Sequence, residues 1–347
     1  MRNSRKPVAR KKNKATKIRK VPSRARRQKK TVMVSDSYRE ALLRNIVNGE
    51  KTEMVNGTAL LLAEVLSGFT PKMRTIAHAD GIACGKILFD IIGRKEGYDQ
   101  CGEYMAPFAD FLETAGHKDV TYQVLPHRII VRMKPPDNST IRKKTHYFEA
   151  GMLCGFLNAA SHKFARVYER QCANEGNREC IISYEPSIGM KENDHTDMWE
   201  GMKILARKDS EQENTKPVRG DYYALVMDSV VGKKYTKGIN ALMERFGKEN
   251  ATNTVRTGKG AGGTAERIAR RLETLGFGKA HIKRETRHIC LRFNGSLFRR
   301  EAMEMAEAFA RGMEEDRINT HIERTRKGME LHLDYVRKRK DSRTNRK

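Results

Sequence analysis

Two stretches of the sequence decide the fold: Phe111–Met133, FLETAGHKDVTYQVLPHRIIVRM, and Arg271–Phe293, RLETLGFGKAHIKRETRHICLRF. They align without a gap at an offset of 160 residues. Leu-Glu-Thr and the glycine two residues later are identical, and so are an Ile and an Arg close to the end. Self-similarity at a fixed offset indicates an internal duplication. We therefore expect the body of the chain to contain two copies of one folding unit.

The hydrophobic pattern around these stretches predicts the same order of elements twice. A helix leads to Gly116 in the first copy and to Gly276 in the second, where a helix C-cap belongs. Alternating residues then predict a β-hairpin, followed by an amphipathic helix and further strands. The pattern predicts an α+β protein made of two tandem repeats of a small antiparallel sheet packed with helices. We place the copies at 35–185 and 221–336, joined by a polar linker, 186–220, with one short helix near 198–205.

The positive charge is concentrated at the two ends of the chain. Residues 1–30 hold fifteen Lys or Arg and no acid, and residues 337–347 hold seven against one Asp. Of the formal charge of +26, the ends carry +15 and +6, which leaves +5 for residues 31–336. Segments with so many positive charges and so few large apolar side chains bury too little apolar surface to fold alone. We expect 1–34 and 337–347 to be disordered basic tails that act as interaction arms.

Nucleic acid is the partner that these tails fit best. Lys and Arg neutralise phosphates and release counterions, and the tails contain no aromatic residue for base stacking. DNA and RNA both meet this description; a solubilising role and an anionic membrane surface are the alternatives. The predicted contact residues are Arg10, Lys11, Lys12, Lys14, Arg19, Lys20, Arg24, Arg26, Arg27, Lys29, Lys30, Arg337, Lys338, Arg339 and Lys340.

Composition excludes several classes of protein. No apolar run approaches the roughly 18–20 residues that cross a bilayer, so we expect no membrane span. The basic first thirty residues lack the apolar core of a secretory signal, and six cysteines in 347 residues are too few for a disulfide scaffold. We expect a cytoplasmic protein. No nucleophile, paired-carboxylate or dinucleotide motif stands out, so we do not expect an enzyme.

A loop of the first copy carries the strongest chemical signal, YERQCANEGNREC, from Tyr168 to Cys180. Turn-forming residues between Cys172 and Cys180 allow the loop to bring the two thiols together. Soft thiolates on a short loop suit Zn²⁺, which takes about four ligands. His146, at the start of the preceding helix, is the first candidate for a third ligand. A pair of reduced, half-buried thiols is the alternative.

These residues resemble the 4-vinyl reductase (4VR) domain, a small-molecule-binding module related to Golgi tethering-complex subunits and nitric-oxide-sensing haem domains. The resemblance rests on Gly151 and Gly155 in an apolar helix, then Glu169, Cys172 and Cys180 before a strand. The family opens that helix with a Cys, a position that falls on His146 here. The resemblance implies a zinc site of His146, Glu169, Cys172 and Cys180, and a pocket for a small hydrophobic ligand.

The resemblance covers 35–185 and reaches the second copy only through the repeat. There Arg300 aligns with His146 and Arg326 with Cys172, so we expect the second, degenerate copy to bind no metal. The leading hypothesis is a chromatin-like or ribonucleoprotein component, with the folded pair supplying shape, homodimerisation or ligand control. A ligand-sensing regulator is the first alternative. A tetrapyrrole-type reductase, implied by the family's name, is the second.

Overall fold

The chain folds as the same series of helices and strands twice. The computed structural model describes residues 36–93, 103–134, 145–161, 165–171, 179–186, 198–207, 216–232, 235–257, 263–294, 300–314, 318–325 and 328–335. The first copy comprises α1 (Asp36–Val47), β1 (Met54–Asn56), α2 (Gly57–Ser67), α3 (Pro71–Leu88) with a π-helical turn (Phe89–Gly93), α4 (Met105–Ala115), β2 (Lys118–Leu125), β3 (Arg128–Lys134), α5 (Tyr147–Ser161), β4 (Ala165–Gln171) and β5 (Cys180–Pro186).

The second copy repeats this order. It comprises α6 (Met198–Arg207), β6 (Pro217–Arg219), α7 (Gly220–Asp228), α8 (Thr236–Thr257), α9 (Thr264–Thr274), β7 (Lys279–Arg284), β8 (His288–Asn294), α10 (Arg300–Glu314), β9 (Ile318–Thr325) and β10 (Gly328–Tyr335). The predicted α+β class, with two sheet-and-helix units, is therefore confirmed. Among the described residues, no helix combines the length and the apolar character needed to cross a bilayer.

Each copy builds one four-stranded antiparallel sheet with the same topology. The strand order is β2-β3-β5-β4 in the first copy and β7-β8-β10-β9 in the second. The registers also agree, because Ile182 pairs with Val131 just as Leu331 pairs with Leu291. Positions in the two sheets can therefore be matched residue by residue.

The shared Leu-Glu-Thr-x-Gly motif connects a helix to the strand that follows it. Glu113 Oε1 accepts a hydrogen bond from the backbone N–H of Val120 at 3.2 Å, and Glu273 Oε1 accepts one from Ala280 at 2.7 Å. The glycine lies in the left-handed region in both copies, at φ 122° in the first and 83° in the second. A side chain there would be strained, so the glycine ends the helix.

Glycines set the spacing of the central helix pair of the first copy. A Cβ on Gly85 of α3 would lie 2.0 Å from the Met152 carbonyl oxygen of α5, and one on Gly151 would lie 2.1 Å from the His78 carbonyl oxygen. The two backbones are therefore in direct contact. The second copy uses Gly312 of α10 in the same way against α8.

The two copies are joined through their first elements. β1 pairs antiparallel with β6, α2 packs against α7, and α1 and α6 each pack against a helix of the other copy as well as one of their own. Arg39 of α1 lies 3.0 Å from Asp80 of its own copy and 3.9 Å from Asp228 of α7. Apolar side chains of both copies form one continuous core.

This joint lies partly in the stretch predicted to be a linker. The short helix expected near 198–205 is present as α6, but β6 and the start of α7 also fall within 186–220. Trp199 and Val218 of this stretch are buried in the shared core. Because α6 and β6 precede α7 just as α1 and β1 precede α2, the repeated order of elements starts near 198 rather than 221.

Candidate metal centre

Three of the four predicted ligands come together in the first copy. His146 immediately precedes α5, Glu169 lies in β4 and Cys180 begins β5. One donor atom from each lies within 4.8 Å of the other two, and all three residues are buried. Cys172, the fourth predicted ligand, lies outside the described residues.

The sheet and the start of α5 account for this convergence. Cys180 pairs with Met133 and Glu169 with Ile182, in neighbouring strands of the same sheet. Cys180 belongs to the hydrophobic core, so its side chain points inward toward the helices. The backbone N–H of His146 donates to Glu169 Oε2 at 3.1 Å, which fixes the start of α5 against β4.

The two ring nitrogens of His146 face different partners. Nδ1 lies 2.7 Å from Glu169 Oε1, a hydrogen bond, while Nε2 lies 3.8 Å from Cys180 Sγ. A carboxylate on one nitrogen is the usual way in which a metal-binding histidine is oriented through the other. Nitrogen and sulfur ligands of a tetrahedral zinc ion lie about 3.6 Å apart, from bond lengths of about 2.0 and 2.3 Å. The donors present therefore fit zinc.

Further buried polar residues surround this group. Glu64 of α2 has its Oε1 4.0 Å from His146 Nε2, and Thr145 donates to its Oε2 at 3.3 Å. Glu149 of α5 accepts a hydrogen bond from the Tyr222 hydroxyl at 2.8 Å. Tyr222 belongs to α7, so the second copy contributes directly to the polar interior of the first. We call Glu64, His117, Glu149 and Tyr222 the inner polar cluster.

Burial strongly perturbs the titration of this cluster. Loss of solvation raises the pKa of Glu64 to about 8 and raises that of Glu149. It lowers the pKa of His117 to about 3, with help from the neighbouring His146. Glu64 Oε1, Glu149 Oε2 and His117 Nδ1 are buried without a hydrogen-bond partner among the described residues. Buried, unpartnered carboxylate oxygens are costly, and a bound cation would offset that cost.

The second copy shows that the fold does not require these polar groups. Its matching positions are apolar: Met227 for Glu64, Phe277 for His117, Ile322 for Glu169 and Met329 for Cys180. The predicted match of Arg300 with His146 is wrong, because the glycine contacts match Gly155 of α5 with Gly312 of α10 and so place the buried, apolar Met303 at the position of His146. Arg326 lies outside the described residues. The polar interior is thus a feature of one copy, added to a framework that also forms without it.

The sequence predicted His146, Glu169 and Cys180 as a group but did not predict the inner polar cluster around them. Glu64 has a visible signal, because it interrupts the apolar run Leu60-Leu61-Leu62-Ala63. His117 gives no such signal, because its contact with Tyr222, 3.3 Å long, spans 105 residues of sequence. Only the folded structure brings such distant residues together.

All fifteen tail residues predicted to contact nucleic acid, from Arg10 to Lys30 and from Arg337 to Lys340, lie outside the described residues. The chain matches no protein-family model and no curated protein sequence. The resemblance to the 4-vinyl reductase domain therefore rests on the residues quoted above.

Proposed function

We propose that this protein binds nucleic acid through its basic tails, with the duplicated body as a folded platform between them. The observation that carries the proposal is the separation of charge along the chain: +15 within residues 1–30 and +6 within 337–347, against +5 for everything between. A nearly neutral body has little electrostatic affinity of its own for a polyanion. Cationic segments of this density bind phosphates without reading base sequence.

The test compares the intact chain with a variant that lacks residues 1–30. Fluorescence anisotropy with a labelled mixed-sequence duplex, and with a single-stranded RNA of the same length, measures affinity at low salt. Removing fifteen cations should weaken binding to both by at least about 100-fold, because each lost phosphate contact forgoes counterion release. A matched control replaces all fifteen Lys and Arg with Gln and keeps the length. If truncated and intact chains bind equally, the tail is not the binding element.

We further propose that the first copy holds a Zn²⁺ ion. His146 Nε2, Cys180 and Cys172 would be its ligands, with Glu169 either joining them or orienting His146 through Nδ1. The unpartnered Glu64 Oε1 lies 4.0 Å from His146 Nε2, and a cation bound there would favour the ionised form of this carboxyl. Bound zinc would supply structural cross-linking between α5, β4 and β5, and with four protein ligands it would have no open position for catalysis.

Metal analysis of the reduced, full-length protein tests this site. Changing Cys172 and Cys180 together to Ala should remove one equivalent of zinc per chain. It should also lower stability, because metal binding and folding are coupled. The matched control is Cys154→Ala, another buried cysteine, which should keep the full zinc content. An unchanged zinc content in the double variant would refute the assignment.

A second function, regulation by the metal centre, is favoured by the Tyr222–Glu149 hydrogen bond. This 2.8 Å contact ties α7 of the second copy to the polar interior of the first, which is the route by which metal occupancy would affect both copies. If the metal centre regulates binding in this way, removing zinc with a chelator should change the affinity for the labelled duplex. Equal affinity with and without zinc would leave nucleic-acid binding in place and exclude this form of control.

A further inference from the structure

The sheet of the second copy carries a separate group of metal-binding side chains on its outer face. Cys290 lies in β8, and Glu330 and His332 lie in β10, with all three buried. One donor atom from each lies within 4.8 Å of the others. These residues are not the counterparts of the ligands in the first copy, which match apolar positions on the inner face. We propose that they form a second zinc site.

Strand register explains how the group is assembled. His332 pairs directly with Cys290 on one side and with His321 of β9 on the other, so one row of side chains crosses three strands. The next row on the same face contains Glu330, paired with Glu323 of β9. Residues two apart in a strand share a face, so these rows lie side by side.

The hydrogen bonds leave one histidine nitrogen ready to bind a metal. His332 Nδ1 lies 3.0 Å from His288 Nε2, and His288 Nδ1 lies 2.6 Å from Asp334 Oδ1. The Asp334 carboxylate accepts the hydrogen bond, so His288 donates to it from Nδ1. His288 Nε2 is then unprotonated and accepts a hydrogen bond from His332 Nδ1. His332 Nε2 then carries the lone pair. Carboxylate chains of this kind orient metal-binding histidines.

That nitrogen is buried and has no hydrogen-bond partner among the described residues. His332 is 7% exposed, and Nε2 is one of the few buried side-chain atoms left without a hydrogen bond there. Three side chains that could also bind a metal, two carboxylates and one thiol, surround it. Glu323 Oε2 lies at 3.4 Å and Glu330 Oε2 at 3.8 Å, and the Cys290 thiol donates to the same Glu330 oxygen at 3.1 Å. Ligands of one tetrahedral zinc ion are spaced by about 3.4 to 3.6 Å.

The surroundings match a site with access from solvent. A pocket of about 250 Å³ opens over Cys290, Glu330 and His332. Arg292 binds the other oxygen of Glu330, Oε1, at 2.6 Å, which holds the carboxylate with Oε2 toward the cysteine. His321 stacks on His332 at 4.6 Å and 6° and keeps its ring in place. Thiolate, imidazole and carboxylate are all ligand types that zinc accepts, and the four groups supply the four donors of a tetrahedral site.

The sheet of the first copy shows whether the proposed ligands are needed for folding. By register, Ile130 stands at the position of Cys290 and Ser183 at that of His332, and Ile181 replaces Glu330. The same sheet thus forms without any of the proposed ligands. The cluster belongs to the second copy alone and is not needed for the fold.

The test uses the full-length, reduced protein and a residue-specific readout, so that it is independent of the first copy. Burial raises the pKa of Cys290 to about 12, so its thiol reacts slowly, but it opens to the pocket and is accessible. Apo protein is therefore treated with a maleimide over a time course long enough to label Cys290, with and without added Zn²⁺, and the modified cysteines are mapped by mass spectrometry. Zinc should protect Cys290 at least about 10-fold, and His332→Gln should abolish that protection while Cys172 and Cys180 keep theirs.

A second measurement distinguishes loss of the zinc site from loss of the fold. In total metal analysis, the intact chain should hold one more equivalent of zinc than both Cys290→Ser and His332→Gln, with circular dichroism unchanged. Arg128→Gln, at the matching position to His288 on the first sheet, is the control and should keep every equivalent. The proposal is overturned if zinc leaves Cys290 as reactive as before, or if well-folded His332→Gln retains the full zinc content. The proposal does not depend on the zinc site of the first copy, because the two sites use different residues. If the first-copy site proves to hold no zinc, the second-copy proposal is unaffected.

Discussion

The contact between α3 and α5 makes a quantitative prediction for Gly85→Ala. A Cβ at this position would lie 2.0 Å from the Met152 carbonyl oxygen and 2.8 Å from the Phe156 nitrogen. Both atoms belong to the backbone, so no side-chain rotation relieves the overlap. The two helices must separate by more than about 1 Å to restore ordinary contact distances.

The expected loss is the balance of two effects. Overpacking a closely packed core costs about 1–3 kcal/mol, and contact between two backbones belongs at the upper end or beyond. Replacing Gly by Ala within a helix returns about 1 kcal/mol. Gly85→Ala should therefore lower the free energy of unfolding by about 2 kcal/mol or more.

Gly238→Ala is the matched control, because it makes the same chemical change in α8 with space available. The nearest atom to its Cβ is Phe69 Cε1 at 3.4 Å. This variant should be more stable than the wild type by about 0.5–1 kcal/mol. Urea unfolding followed by circular dichroism, at equal metal content, measures both. If Gly85→Ala were as stable as the wild type, the close packing of the two helices would be wrong.

Three other predictions concern the framework. Glu273→Ala should cost about 1 kcal/mol in urea unfolding, because it leaves the Ala280 N–H without its side-chain acceptor; equal stability would show that the shared motif has no such role. Arg39→Met should cost about 3 kcal/mol by removing the buried guanidinium that lies 3.0 Å from Asp80 at the joint between the copies, and adding Asp80→Asn should recover part of it; further loss in the double variant would contradict this. Cys84 is buried and burial raises its pKa to about 12, so in native protein at pH 8 it should resist a maleimide, and rapid modification would refute its placement.

Much of the fold follows from sequence because its signals are local and occur twice. The helix period, the glycine at the end of the helix and the hairpin alternation predict α4, β2 and β3 and their counterparts. The alternation overstates burial at one edge, since Tyr122 and Val124 of β2 are 41% and 49% exposed. An edge strand has a neighbour on one side only, so its outer end lacks covering side chains.

The joint between the copies could not be predicted, because its strands are only three residues long. Met54–Asn56 and Pro217–Arg219 carry no periodic pattern, and their pairing depends on helices that pack around them. Of the candidate metal centre, the sequence predicted Cys180 from the turn-forming loop, His146 from its place at the start of the preceding helix, and Glu169 through the resemblance to the 4-vinyl reductase domain. The cluster on the second sheet could not be predicted, because Cys290 lies about 40 residues of sequence from Glu330 and His332, and the register that pairs their strands is invisible in one sequence.

The central claim, that charged tails bind a polyanion while the body folds, is tested most directly by the salt dependence of binding. The slope of the logarithm of the association constant against the logarithm of salt concentration counts the phosphates neutralised, at about 0.9 per phosphate on duplex DNA. We predict a steep negative slope for the intact chain, and a slope several units shallower once the Lys and Arg of residues 1–30 are replaced by Gln. A slope that does not change after that replacement would contradict the account.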